Sequence, residues 1–129
     1  MIKQIKSSEI KNYIKENSNV VLLDVRTENE WATLGKPNAE DLNSKTYFVT
    51  VSPDLSNWQV PDQNFIVNVK KKIDKDKKIL VMCAAGGRSM IAANLLENEG
   101  YSVLNVSDGY SGNSQDPGWK KSNLPVDYS

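Results

Sequence analysis

KILVMCAAGGRSMIAANLLENEG, residues 78–100, is the stretch whose reading decides the fold. It divides into a strand, a tight loop and a helix. Ile79-Leu80-Val81-Met82 is an unbroken apolar run, as expected of a strand covered on both faces in a parallel sheet. Gly86 and Gly87 allow positive φ and hence a sharp turn. Ser89 suits the N-cap of a helix that gathers Ile91, Ala92, Leu95 and Leu96 on one face and ends at Gly100 as its C′ residue. Cys83, the only cysteine among 129 residues, falls between the end of the strand and the start of the helix.

That position carries chemistry. Backbone N–H groups of a tight glycine-containing loop can converge on an anion. The helix N-terminus adds a partial positive charge, and Arg88 adds a full one. All three favour thiolate over thiol, and the thiolate is the nucleophile. A small buried hydrophobe is the plain alternative for a lone cysteine. That role does not need two glycines, an arginine and a helix start directly after Cys83.

Composition narrows the classes of function. Sixteen basic residues balance sixteen acidic ones, so no bulk charge draws the chain to nucleic acid or a membrane surface. There is no histidine, which removes Ser–His, Cys–His and His-ligated metal mechanisms together. A single cysteine excludes an internal disulfide framework and a multi-cysteine metal site, so neither metal nor cofactor is expected. The length predicts one domain over residues 1–129, large enough to build a core without staples. MIKQIKSSEI lacks an apolar signal core, and no run of about 18 apolar residues occurs. A cytoplasmic location follows as the expectation, since a free thiol stays reduced there.

Strands and helices alternate along the rest of the chain. Ile2–Ile5 reads as a first strand. A helix starting at Ser7 or Ser8 spaces Ile10, Tyr13 and Ile14 on one face and is broken by Asn17–Asn19. Val20–Leu23 is a second buried strand, leading into Asp24-Val25-Arg26. Thr27 and Glu30 form a capping-box pattern that opens a short helical turn through Trp31. Gly35–Thr46 is loop-like, Tyr47–Val51 has strand composition, and Ser52–Gln63 is a surface loop. Trp58 within that loop is expected to cover the edge of the core. A helix is predicted over Asn64–Ile73, then the central unit, a strand at Tyr101–Val106 and a loop from Ser107 to Gly118. Asp24, Arg26 and Glu30 are expected to form ion pairs that hold the strand end rather than react. Such alternation implies a parallel α/β sheet with right-handed crossovers.

Three segments carry a resemblance. Cys83-Ala84-Ala85-Gly86-Gly87-Arg88-Ser89 resembles the C-x-x-G-x-R-S active loop of rhodanese-type sulfurtransferases. Asp24-Val25-Arg26-x-x-x-Glu30-Trp31 resembles their D-V-R-x-x-x-E-aromatic segment. Trp119 to Val126 resembles the W-x-x-x-G-L-P-apolar ending, with Asn123 in place of the glycine. Gly35–Leu42 departs from the family pattern, being one residue short and lacking its histidine. Asp108-Gly109-Tyr110 resembles the start of the closing segment, and the extra residues Ser111–Gly118 could border the mouth of the site.

The resemblance implies a rhodanese-like fold, a central parallel five-stranded sheet flanked by helices. It implies that Cys83 attacks the outer sulfur of a small anionic donor such as thiosulfate and holds it as a persulfide. Cyanide or a thiol, on a small molecule or a protein, then takes the sulfur. On this reading the N–H groups of Ala84, Ala85, Gly86, Gly87, Arg88 and Ser89 cradle the anion, and Asp24 and Arg26 support the loop. Arg88 attracts the donor, or else pairs with a carboxylate at the loop edge. No nucleic acid or membrane partner is implied, and a monomer or weak homodimer is expected. A persulfide carrier or regulatory docking module is the non-enzyme alternative. A phosphatase or arsenate reductase is the other enzyme class, but those use Cys-x5-Arg, and Cys83-x4-Arg88 makes a smaller ring.

Overall fold

The two apolar runs lie side by side at the centre of the molecule. In a computed structural model, which describes residues 1–128, the elements run in the order β1 (Lys3–Ile5), α1 (Ser7–Glu16), β2 (Val20–Asp24), α2 (Glu28–Leu34), β3 (Lys36–Pro37), β4 (Thr46–Phe48), α3 (Phe65–Lys70), β5 (Lys78–Met82), α4 (Gly87–Asn98), β6 (Ser102–Val106) and β7 (Val126–Asp127). Ser129, the last residue of the expected 1–129 domain, lies outside the described residues. Short 3₁₀ turns sit at Ala39–Leu42 and Leu55–Asn57.

The five-stranded sheet has the order β1-β6-β5-β2-β4, and every pairing in it is parallel. β2 and β5 register from Val20 opposite Lys78 to Asp24 opposite Met82. Successive side chains of a strand point to opposite faces, and here both faces are covered. Val21, Leu23, Ile79, Val81 and Cys83 face a cluster with Phe65 and Val69 of α3 and Ala92, Ala93 and Leu96 of α4. Val20, Leu22, Leu80 and Met82 face a second cluster with Ile10 of α1, Ala39, Tyr110 and Trp119. This two-sided burial is why neither run alternates in polarity.

Several boundaries differ from expectation for local reasons. The strand expected over Tyr47–Val51 is Thr46–Phe48; beyond it the Val49 and Val51 N–H groups bond to Asp24 and Val25 carbonyls (both 3.1 Å), so this segment wraps the end of β2. The helix expected over Asn64–Ile73 is confined to Phe65–Lys70, and the first strand is Lys3–Ile5. The helix opening after Thr27 extends to Leu34, capped as the Thr27/Glu30 pattern requires. β3 pairs antiparallel with β7 across most of the chain's length. Gly100, at φ 94°, ends α4 as the C′ residue.

The carboxylate of Asp108, 1% exposed, joins the start of α1 to the segment after β6. It accepts from the Ser7 N–H and Ser7 hydroxyl, both at 2.9 Å, and from the Gly118 N–H at 3.0 Å. Asp108→Ala leaves these donors without a partner and is expected to cost roughly 2–4 kcal/mol. Urea unfolding at neutral pH checks this, and an unchanged midpoint would contradict it.

Candidate active site

β5 ends at Met82 and delivers Cys83 to the C-terminal edge of the sheet, where parallel α/β sheets place their sites. The loop that follows is held from behind. Tyr110 and Ser111 N–H groups donate to the Cys83 and Ala84 carbonyls, both at 2.8 Å. In a planar trans peptide the N–H points opposite to the C=O. Fixing these two carbonyls toward residues 110–111 therefore turns the N–H groups of Ala84 and Ala85 the other way. The close approach needs Gly109, at φ 59°, where a Cβ would lie 2.5 Å from the Ala84 carbonyl oxygen. Gly86, at φ 109°, makes the turn into α4, and a Cβ there would lie 2.5 Å from the Ser107 carbonyl oxygen.

The Gly86 N–H donates to Cys83 Sγ at 3.1 Å. The thiol in turn donates to Ser89 Oγ at 3.3 Å. Ser89 is not the N-cap that its residue type suggested. Gly86 takes that place in the left-handed region, and α4 begins at Gly87, which makes Ser89 the third helical residue. Its buried hydroxyl is committed elsewhere: it donates to Asn105 Oδ1 and lies 3.2 Å from the Gly86 carbonyl. Asn105 Nδ2 donates to Gln4 Oε1 at 2.8 Å. A polar chain thus runs from the sulfur through Ser89 and Asn105 to β1.

Arg88 takes the second of its two expected roles. Nη1 and Nη2 donate to Glu30 Oε1 and Oε2 at 2.7 and 2.8 Å, a bidentate pair with both side chains largely buried. Burial pushes the Glu30 carboxyl up, but hydrogen bonds from Arg88 and from the Thr27 N–H, the Arg88 charge and the Thr27 hydroxyl together outweigh it. The group falls from an ordinary 4.5 to about 2. The hydrogen bond to Glu30, together with the negative charges of Glu30 and Asp24, raises Arg88 against the opposing effect of burial. Arg26 and Asp24 form a second pair, fully buried. Nε of Arg26 is 3.1 Å from both Asp24 oxygens, while Nη2 donates to Oδ2 at 2.8 Å and to the Gly35 carbonyl at 2.9 Å. The guanidinium sits 4.1 Å from the centre of the Tyr110 ring. This pair stands behind the loop and contributes nothing to the walls of the pocket.

Cys83 forms part of a pocket of about 270 Å³, lined also by Ala84, Ala85, Gly87, Arg88, Leu55 and Trp58. Trp58 corrects an expectation: it does not cover the core but stands 39% exposed as a wall of this pocket. Its carbonyl accepts from the Ser52 hydroxyl at 2.6 Å, which fixes the loop with the indole directed across Gly87. Residues 111–118 do not line the pocket. Ser111 is spent behind it, on the Ala84 carbonyl, and Asp116 pairs with Lys6.

Sequence reasoning missed Leu55 and the Asn105 contact, and it expected a carboxylate partner for Arg88 without identifying it as Glu30, 58 residues away. Only the Glu30 carboxylate left a trace, as the capping box that orients it toward Thr27.

A family model described as "Rhodanese-like domain" matches residues 7–116. The chain is 39% identical over 126 residues to a Rickettsia prowazekii protein described as "Uncharacterized protein RP600", covering 97% of each. It is 26% identical over 108 residues to a Bacillus subtilis protein described as "Putative sulfurtransferase YtwF", covering 84% of this chain and 86% of that one. The crystal structure of Rv0390 from M. tuberculosis superimposes with a TM-score of 0.82 at 25% identity, covering 98% of both chains.

The low Glu30 value sets a pH window. A carboxyl depressed in the folded state contributes stability that is complete above its unfolded value near 4.5 and is lost as pH falls toward about 2. Glu30→Gln should lower stability at neutral pH by about 3 kcal/mol and flatten the acid limb between those values. Urea midpoints measured across that range check both; parallel acid limbs in the two proteins would contradict the assignment.

Proposed function

Because the chain belongs to the rhodanese-like domain family, we propose that it is a sulfurtransferase that works through a Cys83 persulfide. The observation that carries this reading is the sulfur itself, held at the head of α4 with the Gly86 N–H aimed at it and an open pocket in front. The Cys83 thiolate attacks the outer sulfur of a donor such as thiosulfate. A bond forms between Sγ and that sulfur, the donor S–S bond breaks, and sulfite leaves with the bonding pair. Cys83 is left as an anionic persulfide. A thiolate or cyanide then attacks the outer sulfur, returning the Cys83 thiolate and releasing a persulfide or thiocyanate. Charge balances in each half, and no general base is required once the thiol has ionised.

The terminal sulfur of the persulfide extends into the pocket beyond Sγ. The N–H groups of Ala84 and Ala85, turned away from residues 110–111, and those of Gly87, Arg88 and Ser89 in the first turn of α4 surround that region. Groups in a helix's first turn have no intrahelical acceptor, so they are available to the anion. Arg88 and Glu30 tie this turn to α2, and the Asp24–Arg26 pair braces the adjoining end of β2. The Gly86 N–H, 3.1 Å from Sγ, remains a donor to the sulfur once the thiol proton is gone.

Wild-type protein should convert thiosulfate and cyanide to thiocyanate with ping-pong kinetics, whereas Cys83→Ser should form none above background while remaining folded. Turnover in the variant comparable with wild type would end this reading. The four residues between Cys83 and Arg88 form a ring suited to one sulfur atom. Aryl phosphate hydrolysis by the unmodified protein should accordingly be near background. Efficient hydrolysis abolished by Cys83→Ser would assign the site to phosphate chemistry instead.

A further inference from the structure

We propose that the preferred sulfur donor of this site carries a carbon substituent and a single negative charge, as an organic thiosulfonate does, rather than being a small inorganic dianion. The inference rests on the sulfurtransferase reading above and concerns which donor that chemistry takes.

Charge is the first ground. Among the described residues Arg88 is the one cationic side chain lining the pocket, and both its terminal nitrogens bond the Glu30 carboxylate. Arg26, which does not line the pocket, is paired with Asp24 through Nε and Nη2, and its Nη1 is buried without a partner. The cost of taking an ion out of water grows as the square of its charge, so a dianion loses about four times the hydration of a monoanion of equal size. Among the described residues the pocket wall offers no cation without a carboxylate partner to offset that loss. The loop and helix N–H groups suffice for one negative charge, the persulfide's own.

The walls are the second ground. Leu55 and Trp58, 48% and 39% exposed, rise on the outer side of the pocket opposite the loop. They are built into place. Leu55 opens a 3₁₀ turn capped by Asp54, the Trp58 carbonyl is bonded by Ser52, and the Asp62 N–H closes the loop onto the Val51 carbonyl at 2.7 Å. The Trp58 ring is close enough to Gly87 that a Cβ there would meet Cη2 and Cζ3 at 3.4 Å. The resulting space of about 270 Å³ exceeds what a five-atom inorganic ion fills, and Cys83 forms part of its lining. A ring or branched chain on the donor would lie against Trp58 and Leu55, which line the same pocket as Cys83, with its outer sulfur presented to Sγ. The step stays balanced: the Cys83 thiolate takes the outer sulfur of R–SO₂–S⁻, the S–S bond breaks, and the sulfinate R–SO₂⁻ leaves.

The test compares thiosulfate with benzenethiosulfonate on the intact protein, with cyanide as acceptor. Each kcat/KM is divided by the rate of the same donor with 2-mercaptoethanol, which removes intrinsic reactivity. The normalised ratio should favour benzenethiosulfonate at least tenfold, fall at least fivefold in Trp58→Ala and recover in Trp58→Phe. Glu30→Gln, which frees the Arg88 charge, should move the ratio toward thiosulfate. A smaller preference in the wild type, or a ratio indifferent to both Trp58→Ala and Glu30→Gln, overturns the inference and leaves sulfur transfer intact. Transfer from neither donor overturns the sulfurtransferase reading itself.

Discussion

The structure turns on two carbonyl groups, those of Cys83 and Ala84, and on the backbone N–H groups of Tyr110 and Ser111 that hold them from behind. Because peptide units are planar, anchoring the carbonyls on one side commits the N–H groups to the other. The direction of the Ala84 and Ala85 N–H groups is thus a consequence of the turn after β6. Gly109 permits the approach, Asp108 fixes that turn to α1 and Gly118, and the packing of Tyr110 and Trp119 under the sheet holds it in place. Residues 107–119 form part of the active loop's foundation although none of them lines the pocket.

Two ion pairs divide the remaining work. Asp24–Arg26 is sealed completely and joins the end of β2 to the Gly35 carbonyl and the Tyr110 ring. Glu30–Arg88 lies nearer the surface and locks α2 to the first turn of α4. Each guanidinium is bidentate to its carboxylate, a geometry lysine could not reproduce. Charge matching of this kind leaves both guanidinium groups paired with carboxylates at the loop, while Leu55 and Trp58 form the apolar wall of the pocket in front of it.

The fold was legible where the signal is local and continuous. Ile79–Met82 and Val20–Leu23 declare buried parallel strands because two-faced burial leaves no polar alternation, and the glycines of the Cys83–Ser89 loop declare the sharp turn from strand to helix. Thr27 and Glu30 likewise announce a helix start. What stayed hidden depends on partners far apart in sequence. Nothing near Glu30 indicates that Arg88 will meet it, and nothing near Lys36–Pro37 indicates that Val126–Asp127 will pair with it. Ser89 misled because serine before an apolar helix usually caps it, whereas Gly86 starts this helix earlier and leaves the hydroxyl for Asn105 and the sulfur. Trp58 misled because tryptophan is usually drawn into cores, whereas this loop spends the indole on a pocket wall.

The central claim is that Cys83 carries the transferred sulfur. Intact-mass and peptide mass spectrometry of the protein after brief exposure to thiosulfate, and separately to a thiosulfonate, measures this directly. The account predicts a gain of one sulfur atom on the peptide containing Cys83, lost again on addition of a thiol with formation of that thiol's persulfide. An unmodified Cys83 after both donors, or an added sulfur that no acceptor removes, would contradict it.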